Sequence, residues 1–266
     1  MSGFSADWLR LREPADHRAR DSGLLARLAE YFAGRERVRI LDLGCGTGSN
    51  LRAMAPALPP PQDWRLIDHD PLLLEAAREE IAAWEAGHRI DLRVTFEVAD
   101  LSAGLDPLLS APCDLVTASA LLDLVSESWL DGLVAALAAR ALPLYTVLIY
   151  DGTMRWEPPH RADDAILAAF NTHQHTDKGF GPAAGPDAAA YLAAGLAEAG
   201  YKVMTAASPW LLGEGDGALV AATAAGIAKA ACETGLVDGG LTADWLAGAR
   251  GAAFCEIGHT DILALP

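Results

Sequence analysis

The chain has 266 residues, a formal net charge of −16 and 52% apolar side chains. That length suits one α/β domain with room for a lid or insertion, and that apolar share supplies a core without disulfides or metals. The charge argues against wrapping a phosphate backbone, which needs clustered Lys and Arg to displace counterions, so nucleic acid is not an expected partner.

Cys45, Cys113, Cys232 and Cys255 lie far apart with no C-x-x-C pair. Neither a zinc site nor a disulfide framework is expected, and a reducing cytoplasm fits. Residues 1–20 carry charges from position 7 onward and lack the apolar core of a secretory signal. The longest apolar stretches, such as 142–150, fall well short of the roughly 20 residues a membrane helix needs, so no membrane is expected as a partner.

Taken in order, residues 6–33 show helical spacing interrupted at Glu13-Pro14, which predicts a short helix, a kink and a longer helix. Residues 38–43 are a short apolar run ending in glycines, the pattern of a buried parallel strand. A helix over 51–57 stops at Leu58-Pro59-Pro60-Pro61. Strands at 64–67, 90–98 and 114–118 then alternate with helices at 72–86 and 129–141, and a fifth strand covers 144–150. Alternation of this kind implies right-handed βαβ units in a mostly parallel sheet with helices on both faces.

Beyond that half, residues 153–186 are rich in Pro, Gly, His and Asp and read as a functional loop or lid. A helix over 188–199, a strand over 201–206 and a last strand over 253–265 follow. Between the last two strands, 217–250 holds about two helices, more than a connection between neighbouring strands usually contains. The chain is thus expected to be a single domain: N-terminal helices (1–37), a cofactor-binding half (38–151), a lid (152–187), and C-terminal strands with a helical insertion (188–266, insertion 217–250).

The strongest chemical signal is Leu41-Asp42-Leu43-Gly44-Cys45-Gly46-Thr47-Gly48-Ser49-Asn50, where glycines after a strand let the backbone approach a ligand closely. A nicotinamide-binding loop would read G-x-G-x-x-G, and its third glycine position is Ser49 here. Asp68, about two dozen residues beyond Gly44, ends the second strand where a carboxylate can accept both hydroxyls of a ribose. Asp70 is the better helix cap ahead of Pro71.

The glycine segment resembles the first motif of the class I S-adenosylmethionine-dependent methyltransferases, an acidic residue followed by x-G-x-G-x-G. The resemblance implies a Rossmann-like, mostly parallel seven-stranded sheet, S-adenosyl-L-methionine as cofactor and a loop of Gly44, Cys45, Gly46 and Gly48 under its methionine part. Asp42 would hold the loop or reach the cofactor's amino group through water, Asn50 would join the cofactor-binding residues, and Cys45 would be a small filler. Asp68 would hold the ribose and His69 would flank the adenine. Asp100, ending the third strand, would accept from the adenine amino group, with Leu101 beside it; a plain turn residue is the competing reading for Asp100. Ser119, Ala120 and Leu121 would line the cofactor, and Asp123 would either face the acceptor or serve as part of a capped helix.

Among Arg12, Arg18 and Arg20, a guanidinium could pair bidentately with the cofactor carboxylate. Arg20 is favoured, with Arg12 as the alternative. Within the lid, Trp156, Asn171, Lys178 and Phe180 are candidates for binding the acceptor, and His173, His160 or Asp151 for removing its proton. His173-x-His175 stands alone in its loop and is not expected to bind a metal. The function expected is methyl transfer to an oxygen or nitrogen of a small molecule by a monomer or homodimer. The alternatives are an NAD(P)-dependent oxidoreductase and a non-catalytic S-adenosylmethionine-binding module.

Overall fold

The apolar strand β1 (Val38–Leu43) sits at the centre of a sheet, flanked by parallel β2 (Gln62–Asp68) and β4 (Leu115–Ser119). Both faces of such a strand are covered, so it reads as a continuous apolar run. β3 (Leu92–Val98) pairs with β2, and β5 (Leu144–Glu157) continues the parallel set beside β4. β8 (Phe254–Leu265) then runs antiparallel between β5 and β6 (Lys202–Ala207). The path is β3-β2-β1-β4-β5-β8-β6, and short β7 (Trp210–Leu212) pairs with the outer part of β8. This computed structural model describes residues 4–266; residues 1–3, the start of the stretch read as lacking a secretory leader, lie outside it.

Two apolar layers sandwich the sheet. On one face α5 (Glu127–Ala138) and α7 (Ala188–Glu198) bury Leu130, Leu133, Leu137, Leu192 and Leu196 against Leu41, Leu43 and Val116. On the other, α2 (Ser22–Tyr31), α3 (Ser49–Met54) and α4 (Pro71–Glu85) bury Leu24, Leu28, Leu51, Leu74 and Ile81 against Ile40, Leu66 and Leu115. Among the described residues no helix is long and apolar enough to cross a membrane.

A third core lies beyond these two. α6 (Asp163–Gln174), α8 (Gly217–Thr234) and α9 (Gly239–Ala249) pack Ile166, Val220, Ile227 and Trp245 on the outer halves of β5 and β8, through Trp156, Cys255 and Ile257. The segment expected to be a lid is therefore largely regular: β5 extends to Glu157, a short turn at 158–162 leads into α6, and the stretch from 175 to 184 is irregular. The sequence pattern hid α6 because only Ile166, Ala169 and its half-buried neighbour Phe170 mark the helix's inner face, between polar flanks. The two helices expected between residues 217 and 250 are present, and they complete this same core.

The other departure is at the N-terminus. α1 (Ala6–Ala19) runs straight through Pro14, and the break falls at Arg20-Asp21 instead of Glu13-Pro14. Asp21 caps α2 by accepting from the backbone N–H of Leu24 at 2.7 Å, which ends one helix and starts the next. Its own N–H donates to buried Asp261 at 2.9 Å, so the break is fixed to β8.

Candidate functional site

The carboxyl ends of β1, β2 and β4 meet beneath the break between α1 and α2. Gly44, Gly46 and Gly48 have φ of 63°, 53° and 77°, a left-handed region that L side chains enter at a cost of roughly 1–2 kcal/mol each. A Cβ on Gly46 would meet Leu9 of α1 at 2.9 Å, and one on Gly48 would meet Ile81 at 2.7 Å. Leu121 lies over Gly44, 3.2 Å from where its Cβ would be. Ala120, beside it, takes φ of 50° where β4 turns away.

Buried polar groups beneath the loop form a chain. Asp42 Oδ1 accepts from Asn50 Nδ2 at 2.7 Å, and the same amide lies 3.1 Å from Thr117 Oγ1. Arg20 donates from Nη1 to Asn50 Oδ1 at 2.7 Å and from Nη2 to Ser119 Oγ at 3.2 Å. Two atoms are left over: Arg20 Nε and Asp42 Oδ2 are buried without a partner. Burial pushes the Asp42 carboxyl up to about 7, and Asn50 and Arg20 only partly offset this. A guanidinium N–H and a carboxylate oxygen, orphaned together, fit the carboxylate and ammonium of an amino-acid tail.

Arg20 holds this position alone. Arg12 forks onto Asp16 at 2.9 and 3.1 Å, and Arg18 reaches Asp216 at 2.7 Å, so the arginine alternatives separate by their partners. Asp261 secures the backbone next to Arg20: besides Asp21 N–H it accepts from Leu148 N–H at 2.8 Å and Ser208 Oγ at 2.5 Å.

On the β2 side, Asp68 Oδ2 accepts from Gly46 N–H at 2.9 Å and Oδ1 from Asp70 N–H at 3.0 Å. Each oxygen keeps a lone pair for a further donor. Asp70 caps α4 through Leu72 N–H at 2.8 Å. His69 is half exposed, with Nδ1 3.3 Å from Asp68. Asp100 caps a one-turn 3₁₀ helix through Ser102 N–H at 2.9 Å; the Ser102 side chain, then that N–H, holds its carboxyl below the usual range, while neighbouring Leu101 is buried. Cys45 is buried and its thiol is pushed well above its usual value by burial, as suits a filler.

A second group gathers past β4. Asp123 is 7% exposed, its Oδ1 has no partner, and burial pushes its carboxyl up to about 6 against the opposing pull of Arg12 and Lys178. Tyr150 donates its hydroxyl to Asn171 Oδ1 at 2.8 Å, and Asn171 Nδ2 donates to Gly152 O at 2.9 Å. His259 on β8 lies with its ring 5.3 Å from that of Trp210 and 6.4 Å from that of Tyr150. Its Nδ1 is buried and unpartnered, and burial followed by Arg12 pulls its pKa down to about 3. Arg12 also stacks on Trp210 at 4.9 Å, and Trp210 Nε1 donates to Asp16 at 2.9 Å.

The other residues expected from the lid are placed less centrally. Lys178 Nζ lies 3.1 Å from His173 Nδ1 and donates to Thr176 Oγ1 at 2.8 Å. His173 also meets Glu233 at 3.0 Å through Nε2, so both ring nitrogens are engaged. His160 accepts from Ala162 N–H and faces Asp244, away from the glycine loop. Asp151 accepts from Thr153 N–H at 2.9 Å and its hydroxyl at 2.7 Å, a local turn. Trp156 is a core residue, 5.3 Å from Trp245, and is not brought to the Asp123 group. Phe180 packs edge-on against Trp129 at 5.9 Å, beside a cleft that both share with Ser102, Ser126 and Ser128.

Sequence reasoning missed Asp16, Tyr150, Trp210 and His259. Arg12 and Asp16 stand at i and i+4 on one helix, a spacing that pairs side chains. His259 and Asp261 are ionisable residues inside an otherwise apolar strand, and buried polar groups of that kind need partners or a use.

Residues 40–143 match the family described as "Methyltransferase domain". No curated protein matches the chain. Among solved structures, a SAM-dependent methyltransferase from Geobacter sulfurreducens in complex with S-adenosyl-L-homocysteine is 16% identical over 100% of both chains, with a TM-score of 0.50. An O-methyltransferase family protein from Burkholderia thailandensis is 19% identical over 74% of this chain, with a TM-score of 0.50. The chain spans about half of that protein, 53% of its length. At these identities the likeness is one of fold.

Proposed function

We propose that the chain, whose residues 40–143 match a methyltransferase domain, is a class I S-adenosylmethionine-dependent methyltransferase that transfers a methyl group to an oxygen or nitrogen of a small molecule. The observation that carries the cofactor assignment is the pair of orphaned atoms, Arg20 Nε and Asp42 Oδ2, at the foot of the glycine loop. When bound, S-adenosylmethionine would supply a sulfonium methyl whose transfer leaves a neutral thioether. Arg20 receives the carboxylate of its amino-acid tail and Asp42 the ammonium. Asp68 accepts from the ribose hydroxyls, and His69 and Leu101 flank the base.

The remaining work of the chain is to hold the acceptor in line and keep water out. α1 serves the second purpose, covering the loop through Leu9 and anchoring by Glu13, whose carboxylate pairs with buried Arg52. The acceptor is assigned to the Asp123 group, which Lys178 faces and to which Asn171 is tied through Tyr150, with Phe180 farther out against Trp129. The net charge of −16 makes a small molecule a better acceptor than nucleic acid. The free cysteines are consistent with a reducing compartment such as the cytoplasm.

Calorimetric titration with S-adenosylmethionine, S-adenosylhomocysteine and NAD tests the assignment. Both sulfur compounds are expected to bind and NAD is not; NAD binding without the others would restore the oxidoreductase reading. Asp68→Ala is expected to weaken S-adenosylhomocysteine by about 1–3 kcal/mol, the scale of charged hydrogen bonds. An unchanged dissociation constant would remove Asp68 from the site.

A further inference from the structure

We propose that Asp123 takes the proton from a small aryl or enol hydroxyl as that hydroxyl is methylated, which deepens the methyltransferase reading above and rests on it. Asp123 stands four residues past Ser119 and two past Leu121, the residue over Gly44. Its Oδ1 is buried with no partner, in a structure where Asp151, His160 and His173 are each already engaged. A buried carboxylate oxygen left unpaired implies a donor that arrives with a ligand.

The surroundings define that donor. Phe170, Tyr150, His259 and Trp210 place aromatic rings in succession, with centroids 5.4, 6.4 and 5.3 Å apart from one to the next. Tyr150, His259 and Trp210 are themselves buried, so the row forms a rigid, largely apolar boundary behind Asp123, which suits a planar apolar body. The charged and titratable groups facing Asp123 are Arg12 from α1, Lys178 from the loop after α6 and Tyr150 from β5; His259 faces Arg12 from β8, and His175 lies against Gly185, whose N–H donates to Asp123 O at 3.0 Å. Arg12, held by Asp16, and Lys178, held by His173 and Thr176, both act electrostatically on the Asp123 carboxyl from where they stand.

Acid strength selects among hydroxyls. A neutral amine attacks through its own lone pair and needs no base beforehand. An aliphatic hydroxyl is too weak an acid for a carboxyl to deprotonate, whereas a phenol-like hydroxyl, near 10 on the scale of tyrosine, is within reach of a carboxyl raised to about 6. In the step, the O–H bond breaks and its proton passes to Asp123. The oxygen's electron pair forms the O–CH₃ bond, and the C–S pair stays on sulfur as the thioether.

The test uses the full chain with methyl-labelled S-adenosylmethionine and five acceptors: phenol, catechol, 4-hydroxybenzaldehyde, benzyl alcohol and benzylamine. Turnover is expected with at least one phenol, with kcat rising through a pH near 6 to a plateau. Asp123→Asn is expected to lower kcat by at least 100-fold, in line with loss of a general base, with the S-adenosylhomocysteine dissociation constant unchanged. Asp123→Glu should restore part of the rate. The proposal is overturned if Asp123→Asn keeps kcat within threefold, or if no phenol is methylated by protein that binds S-adenosylhomocysteine. Failure to bind S-adenosylhomocysteine at all would instead remove the methyltransferase reading on which it rests.

Discussion

At the scale of single residues, the glycine loop separates two costs that usually come together. Gly48 has φ of 77° and its Cβ would lie 2.7 Å from Ile81 Cδ1, whereas Gly34 has φ of 79° and nothing within 4 Å. Gly34→Ala should therefore carry only the left-handed backbone penalty, roughly 1–2 kcal/mol. Gly48→Ala adds overpacking against Ile81, a further ~1–3 kcal/mol. Urea unfolding of both variants measures the difference, and equal losses would mean that Ile81 yields freely. The loop was also what the sequence disclosed best: acidic residue, glycine spacing and Asp68 are all local to strand ends. The group around Asp123 was not legible in the same way. Arg12, Tyr150, Trp210 and His259 come from four elements between positions 12 and 259, and only the fold brings them together.

At the scale of elements, α1 carries the site as much as any strand does. Leu9 covers Gly46, Glu13 pairs with Arg52, His17 lies 3.0 Å from Ser49 Oγ, and Asp16 joins Arg12 to Trp210. Asp16→Ala would leave a guanidinium and an indole N–H without their acceptor. Breaking a buried pair from one side typically costs about 3–5 kcal/mol. The loss should appear in urea unfolding and as faster proteolysis within residues 4–20, with α1 loosened from β7. A loss below about 1 kcal/mol would show that water replaces Asp16 and that the pair lies outside the core. Pro14 misled the reading of this helix, because a proline signals a break but does not enforce one when the flanking turns are anchored. In α6 the error ran the other way. Two buried apolar residues, Ile166 and Ala169, carry its inner face, too few to stand out between Pro-rich and Gly-rich flanks. The strand pattern from 38 to 150 was legible because the inner strands β4 and the first half of β5 are covered on both faces and apolar, while edge strand β3 alternates between apolar and polar residues.

At the scale of the whole molecule, the site leaves a mark on stability that pH exposes. Burial raises Asp42 to about 7 and Asp123 to about 6. Each of these holds a proton in the folded chain that the unfolded chain releases near 4. Their contribution is therefore complete below about pH 4 and is lost as pH rises through 6 and 7. His259 acts in the opposite sense: it is lowered to about 3, so its contribution is complete above the unfolded value near 6.5 and is lost as pH falls toward 3. The two trends overlap and partly cancel in the wild type, so the difference between proteins is the useful quantity. The stability of the wild type minus that of Asp42→Asn should fall between pH 4 and pH 8, by no more than about 4 kcal/mol for a shift of this size. The difference against His259→Asn should rise over the lower part of the same range. S-adenosylhomocysteine brings an ammonium toward Asp42 in the proposed site, which favours the ionised carboxyl. Saturating S-adenosylhomocysteine should therefore flatten the Asp42 slope and leave the His259 slope in place. A slope against Asp42→Asn that is flat without S-adenosylhomocysteine would mean that Asp42 is ionised in the free protein, and the orphaned oxygen would then need another partner.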